Sequence, residues 1–543
     1  MRAGPCALTL LVVVSAQGQY VGSKACASCH SKEYQSFIKT PMGRSLTFAS
    51  LATAPEFGKP ADLLHSQTGR RYRMSQNQGK LSIEESYASP DKQSAYSDAR
   101  SIRYTIGSGN HARSFLVERS GRLFQAPVTF FTRVGRWEMS PGYDTGDHIG
   151  FTRRVTANCL FCHSGRVNSL NESGDVFATP RVFAEAAIGC ERCHGPGQFH
   201  LARRGEGIVN PAKLTPELRD QVCEQCHLFG AARVLQPGKS LTDWRPGEKL
   251  SQVLTVYGWK TAPTHTPSVT SHPQEMKQSV CWQKSRARLW CGSCHAVHAA
   301  GPTAGAAFYR SKCLTCHARD SCRRPSESSS AAHRQNDCIA CHMPRRPVIE
   351  SAHVALTDHR ILRMPKPDEP RSGDDRLAPL LSADQDDPIV ESRSLGFAYA
   401  EVAGATGRQE YHRRVVEMLK PLVGTNVTDA LFWQTLGEAQ LALREVTGAE
   451  ESFRKAVELS PHSAAAQYSL GYIFQLRDRL PEAVHAYQQA VNADPFKAEA
   501  FGNLAAAYFK MSERDKAQAA LNKALTLEPG NLRWRDAKQG RTR

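Results

Sequence analysis

Beyond its N-terminus the 543-residue sequence has no apolar run approaching twenty residues, the length that a membrane-spanning helix needs, so no transmembrane segment is expected in the mature chain. Apolar residues are somewhat scarce overall, at 41%, which is a little low for a globular chain. Acidic side chains fall short of basic ones, 52 against 69, leaving a formal net charge of +17. That excess ordinarily raises nucleic acid or an anionic surface as a partner. Spare cysteine is scarcer still, because most of the 17 cysteines belong to one repeated pattern.

The pattern is Cys-x-x-Cys-His, and it occurs seven times: Cys26/Cys29/His30, Cys159/Cys162/His163, Cys190/Cys193/His194, Cys223/Cys226/His227, Cys291/Cys294/His295, Cys313/Cys316/His317 and Cys338/Cys341/His342. Two thiols at this spacing add across the vinyl groups of a haem, and the adjoining imidazole becomes the proximal ligand of the iron. One occurrence alone also fits a zinc knuckle. Seven do not, since zinc sites need paired Cys-x-x-Cys and have no use for a histidine directly after each pair. The expected cofactor is therefore haem c, seven groups covalently attached through these fourteen cysteines. Their propionates would offset most of the positive charge, so no nucleic-acid partner is expected.

Arg2, the apolar run from Ala7 to Val14 and the small residues Ser15 and Ala16 read as a signal peptide over residues 1–16, cleaved before Gln17. The expected location is periplasmic or otherwise exported, with the mature chain soluble. Export suits c-type haem, which is attached outside the bacterial cytoplasm. Cys6 precedes the apolar run rather than ending it, which argues against a lipid anchor. In an oxidising compartment the remaining Cys281 and Cys322 are expected to form a disulfide, the alternative being a thiol or haem ligand.

Residues 17–363 are expected to form the seven-haem part. Glu33 to Lys39 reads as a short amphipathic helix stopped by Pro41. From about 63 to 137 the sequence alternates instead, and Ser114–Arg119, a Ser120-Gly121 turn and Arg122–Gln125 read as a β-hairpin in a haem-free insert. Six motifs then crowd residues 159–342, too close together for a separate core around each haem, so regular structure should be sparse and the haems should pack on one another. The Pro- and Asp-rich stretch 364–394 reads as a linker.

Residues 395–543 repeat with a period of 34. Pro461, Pro495 and Pro529 close successive units, Gly437, Gly471 and Ala505 share one small position, and Phe453, Tyr487 and Leu521 share one large position. This is the tetratricopeptide (TPR) pattern, two antiparallel helices per unit, with clear repeats at 430–463, 464–497 and 498–531. The fold class expected is mainly α: a haem-packed cytochrome domain with sparse secondary structure and a small β insert, followed by a helical TPR solenoid.

Whether an iron transfers electrons or binds a small molecule depends on its sixth ligand. Ten histidines lie outside the motifs and ahead of the repeats: His65, His111, His148, His200, His265, His272, His298, His333, His353 and His359. Histidine alone can thus saturate seven irons. Met42 is a further thioether candidate, whereas His412, His462 and His485 lie in or beside the helical repeats.

The opening Tyr20-Val21-Gly22-Ser23-Lys24-Ala25-Cys26, the stretch Ile106-Gly107-Ser108-Gly109-Asn110-His111, Cys193-His194-Gly195-Pro196-Gly197 with His200, Cys294-His295 with His298, and Cys341-His342-Met343-Pro344 with His353 and His359 resemble a known family. It is that of the multihaem cytochromes c related to the tetrahaem electron carrier of ammonia oxidation, whose superfamily includes hydroxylamine oxidoreductase and cytochrome c nitrite reductase. The resemblance spans most of residues 20–362. It implies distal ligation by His111, His200, His298, His353 and His359, with His65 and His272 completing seven and His148, His265 and His333 in reserve. The nitrite reductases usually have lysine in place of one motif histidine, and all seven motifs here end in histidine.

The expected function is electron transfer through covalently bound haems, with redox partner proteins and with a peptide or protein docked on the repeats. The alternative is a multihaem oxidoreductase acting on a small nitrogen or sulfur compound at one open haem. A third reading, an assembly protein in which the repeats dominate, leaves the haems without a role. His298 stands too close to His295 to share its iron comfortably, so it is expected to reach a different haem.

Overall fold

The computed structural model describes residues 19–88, 95–146, 148, 150–171, 174–203, 205–260, 272–286, 288–299, 305–318, 337–346, 356–363, 376–381, 387–425 and 428–540. The expected signal peptide, Cys322, His265, His333, His353 and most of the expected linker lie outside these residues.

Strands dominate the first part of the described chain. In order they are β1 (Leu46–Phe48), β2 (Ala61–His65), β3 (Arg70–Asn77), β4 (Lys80–Ala88), β5 (Ala95–Ser101), β6 (Tyr104–Ile106), β7 (Ser114–Arg119), β8 (Arg122–Gln125), β9 (Val128–Phe131), β10 (Arg136–Met139) and β11 (Arg154–Val155). β2 to β5 form a four-stranded antiparallel meander, and β1, β6, β7, β8 and β11 form a second sheet in that order. Alternation decides which face is buried: Tyr72 and Met74 on β3 point inward opposite Glu85 and Ile83 on β4. They meet Phe57, Phe115, Val117 and Phe124 in one core. The β7–β8 hairpin turns on Ser120 and Gly121, both with positive φ (46° and 77°), the two-residue turn whose twist matches its strands.

Strand structure is not confined to a small insert at 63–137. It extends from Leu46 to Val155 and continues in β12 (Arg166–Val167), β13 (Phe183–Glu185), β14 (Ala232–Leu235), β15 (Leu254–Trp259), β16 (Arg345–Arg346), β17 (Leu356–Thr357) and β18 (Leu377–Leu381). The expectation of sparse secondary structure is corrected accordingly: the N-terminal part is rich in strands. Pieces of two or three residues leave no alternation to read. Their partners make them strands, as β6 does for β1 through Leu46↔Ile106.

Short helices carry the motifs or lie beside them: α1 (Ser23–Cys26), α2 (Ser31–Phe37), α3 (Ala157–His163), α4 (Glu191–His194), α5 (Gln198–Ala202), α6 (Pro216–His227), α7 (His272–Gln278), α8 (Val280–Lys284), α9 (Cys291–Cys294), α10 (Ala306–Cys313) and α11 (Cys338–His342). Within 364–394, Leu377–Leu381 is an edge strand on β15, and Pro388 starts the long helix α12 (Pro388–Thr406) at an Asp387 cap. Phe397, Ala398, Tyr399 and Val402 of α12 share one core with Ala232, Val234, Tyr257 and Leu377. Apolar packing therefore runs unbroken from the sheet into the helices.

α13 (Gln409–Leu419) completes a pair with α12. Three further pairs follow at the expected period: α14 (Ala430–Ala442) with α15 (Val446–Leu459), α16 (Ala464–Leu476) with α17 (Leu480–Ala493), and α18 (Ala498–Lys510) with α19 (Arg514–Leu527), closed by α20 (Leu532–Lys538). The small and large positions explain the pairing. A Cβ on Gly437 would lie 2.8 Å from the Phe453 ring, and one on Gly471 would lie 2.8 Å from Tyr487. Each interhelical turn carries one left-handed residue, Arg444, Asp478 and Ser512, again 34 residues apart. The far end of the helical array returns to the strands: Asp494 pairs with Arg122 and Arg154 at 3.5 and 2.6 Å, and Arg122 lies over the Phe496 ring.

Candidate functional site

All seven motifs open onto one cavity of about 5190 Å³, whose wall includes every motif cysteine and histidine. An ordinary site for one small ligand holds roughly 300–1,000 Å³. Local backbone geometry aims each motif inward. The histidine N–H donates to the first cysteine's carbonyl in His30→Cys26 (2.9 Å), His194→Cys190 (3.0 Å), His295→Cys291 (2.9 Å) and His317→Cys313 (3.0 Å). One helical turn thus sets thiols and imidazole on a common face.

Motif histidines stand opposite histidines from elsewhere in the chain. The ring centroids are 6.2 Å apart for His30 and His200, 5.8 Å for His194 and His298, 6.2 Å for His227 and His272, and 6.4 Å for His295 and His359. Their planes lie within 26° of parallel. An imidazole nitrogen binds a first-row metal ion at about 2 Å and its ring centroid lies about 1 Å behind it, so two imidazoles on opposite sides of one ion stand about 6 Å apart. Ordinary aromatic packing spans about 4.5–7 Å, but here all four pairs join one motif histidine to one outside it.

Hydrogen bonds orient several of these rings. Nδ1 of His194 faces the Val209 carbonyl at 2.8 Å, that of His342 the Leu362 carbonyl at 2.8 Å, and that of His359 the Thr357 carbonyl at 2.7 Å. A carbonyl only accepts, so Nδ1 carries the proton and Nε2 keeps its lone pair for a metal. Burial holds His163, His194, His227, His295 and His359 below the usual imidazole range and pushes His272 down to about 3, the neutral form that ligates. Thiols of different motifs lie near enough to shift one another's acidity: Cys26 and Cys190, Cys162 and Cys226, Cys223 and Cys291, and Cys313 and Cys338.

Of the remaining candidates, His111 and Met42 line the cavity, and burial lowers the His111 pKa, with Arg133 and Arg345 adding to the shift. His65 stands apart. Its Nε2 lies 3.0 Å from Asp144 and its Nδ1 2.8 Å from the Thr68 hydroxyl, in a buried cluster with Arg70, Tyr72, Glu85 and the reserve His148. The expected Cys281–Cys322 bridge involves a residue outside those described.

Three wall residues escaped the sequence reading. Glu275 is buried three residues after His272 on α7, a spacing that puts both on one helical face and was the available signal. Arg233 brings its guanidinium 3.9 Å from Cys162 Sγ, and its backbone N–H donates to Glu401 of α12 at 2.9 Å. No local pattern marks Arg233 or Glu401.

The comparisons concern the helical end. A tetratricopeptide repeat model matches residues 430–463 and 498–531. The C-terminal helices are tetratricopeptide repeats. The chain is similar to BBSome complex member BBS4 of Bos taurus, 26% identical over 122 residues (22% of this chain, 23% of that one), and to tetratricopeptide repeat protein 37 of Xenopus laevis, 37% identical over 78 residues (14% and 5%). It therefore spans less than a quarter of the length of either relative. Solved structures similar to it include YrrB, titled a TPR protein with an unusual peptide-binding site, at 23% identity and a TM-score of 0.25 over 28% of this chain and 77% of that one. MamA matches at 24% identity and a TM-score of 0.22 over 26% and 92%.

Proposed function

We propose that this chain is an exported multihaem c-type cytochrome that passes electrons between partner proteins, with its repeats as the docking element. The observation that carries the proposal is the set of four imidazole pairs, spaced at 5.8 to 6.4 Å along one cavity. The cysteines of each motif supply two thioether links, and the motif histidine supplies the inner ligand. His200, His298, His272 and His359 supply outer ligands from neighbouring segments. The bound cofactor adds one-electron chemistry between ferric and ferrous iron. Ligands fixed by the surrounding chain would move little when the iron changes charge. The size of the cavity relative to a single-ligand site supports several groups in mutual contact. Docking at the repeats rests on their TPR character, whose stacked helices present an extended surface to peptides and proteins.

The test is a haem and iron count on the purified full-length chain, with electron paramagnetic resonance (EPR) of the oxidised form. Seven haems per chain with low-spin signals from the paired sites are expected. A protein that binds zinc and no haem would overturn the reading, and a high-spin signal dominating the spectrum would favour the oxidoreductase.

A further inference from the structure

Two of the imidazole pairs touch. His272, which faces His227, lies against His359, which faces His295, with ring centroids 4.3 Å apart and planes at 30°. The four rings form one cluster, with spacings of 6.2 Å from His227 to His272, 4.3 Å from His272 to His359 and 6.4 Å from His359 to His295. The outer spacings leave room for an ion between the rings. The inner one is a contact between ring faces. This ring contact joins the sites built on α6 and α9.

Glu275 occupies the junction. It is 5% exposed, and its Oε2 accepts the backbone N–H of His359 at 3.1 Å. One of its carboxylate oxygens and one ring nitrogen from each of His272 and His359 all lie within 4.8 Å of one another. Two histidines and a carboxylate are also a ligand set for a non-haem ion. Here the geometry disfavours that role: the His359 Nδ1 is committed to the Thr357 carbonyl at 2.7 Å, and both rings already face motif histidines.

Resting on the cytochrome reading above, we infer that Glu275 is a positioning residue shared by two centres, holding the stacked His272 and His359 and placing one carboxylate beside both outer ligands. The negative charge of a carboxylate close to two ligating imidazoles favours the more positive iron state. Burial strengthens its influence, Glu275 being screened little by solvent. One side chain therefore sets two potentials together.

The experiment compares full-length holoprotein with its Glu275→Gln, Glu275→Ala and Glu275→Asp variants by EPR, spectroelectrochemical titration and metal analysis. Glu275→Gln and Glu275→Ala are expected to raise the potentials of two of the seven centres and move the low-spin signals of the same two, leaving five unchanged. Glu275→Asp is expected to restore part of both shifts. If the alanine variant does not accumulate, the near-isosteric glutamine variant carries the test. A shift in one centre only, a shift spread over all seven, or none at all would overturn the inference while leaving the cytochrome reading intact. A non-haem divalent ion present in the parent protein and lost from the variants would overturn it too, by giving the trio an ion of its own. Parent protein without haem would remove both readings before any variant was measured.

Discussion

His298 lies opposite His194, with ring centroids 5.8 Å apart and planes 14° from parallel, although the chain delivers it only three residues after His295. The stretch 291–298 thus serves two sites, His295 facing His359 and His298 facing His194. Under the proposed cytochrome reading, replacing His298 with alanine is expected to unseat the outer ligand of the centre on α4, not of the centre on α9. EPR of oxidised His298→Ala should show one low-spin signal converted to high spin. His194→Ala should affect that same centre, and His295→Ala a different one. Identical spectra for His298→Ala and His295→Ala would contradict the pairing.

The helical repeats offer a test of packing in which the sign of the effect is informative. Alanine in place of glycine at an open helical position stabilises by about 0.5–1 kcal/mol. Gly404 on α12 is such a position, with nothing within 4 Å of where an alanine Cβ would stand, whereas at Gly471 that carbon would lie 2.8 Å from the Tyr487 ring. Tyr487 cannot easily retreat, being fully buried with its hydroxyl donating to Gln475 at 2.7 Å. Gly471→Ala is therefore expected to destabilise by about 1–2 kcal/mol, overpacking outweighing propensity. Gly404→Ala should stabilise. Denaturant midpoints for the two variants check the contrast.

At the other end of α19, burial pushes the Glu528 carboxyl up to about 7 from an ordinary 4.5, with Glu499 adding repulsion and Asn531 and Arg119 opposing. The folded state thus holds a proton that the unfolded chain releases near pH 4.5. Stability from this group is complete below that pH and falls as pH rises through about 7. The loss amounts to roughly 3–4 kcal/mol, since each tenfold difference in proton affinity between the two states is worth about 1.4 kcal/mol. Unfolding free energies measured from about pH 5 to 8 should decline, and Glu528→Gln, which cannot ionise, should flatten that part of the profile. An unchanged profile in the variant would assign the decline to other groups.

Features set by near neighbours in sequence were legible before the fold was known. Each Cys-x-x-Cys-His is one helical turn, and the 34-residue period records the contact of Gly437 with Phe453, repeated by Gly471 with Tyr487. His200, His272, His298 and His359 were recognisable as candidates, but their partners depend on how distant segments cross the cavity. His65 shows the cost of counting without that knowledge, since Asp144 and Thr68 take both its ring nitrogens. β1 and β11 were illegible because strands of two or three residues exist only through their partners. Glu275 was hidden because its meaning comes from His359, 84 residues away.

The same dependence bears on where the chain can be cut. Residue 395 looks like a natural boundary, placed after a Pro- and Asp-rich stretch. The structure sets Phe397, Tyr399 and Val402 of α12 into one core with Ala232, Val234 and Tyr257. Glu401 caps the Arg233 N–H, and both Glu401 and Val402 reach the cavity wall. Each large apolar side chain withdrawn from such a core costs about 2–5 kcal/mol, so three together cost about as much as the whole stability of an ordinary domain, about 5–15 kcal/mol. Removing residues 395–543 is therefore expected to lower the yield of folded protein and its haem content per chain, rather than to detach an independent module. Haem content and far-ultraviolet circular dichroism of the truncated chain against the full-length one check this, and full haem content in the truncated chain would show that β14 and β15 stand without α12.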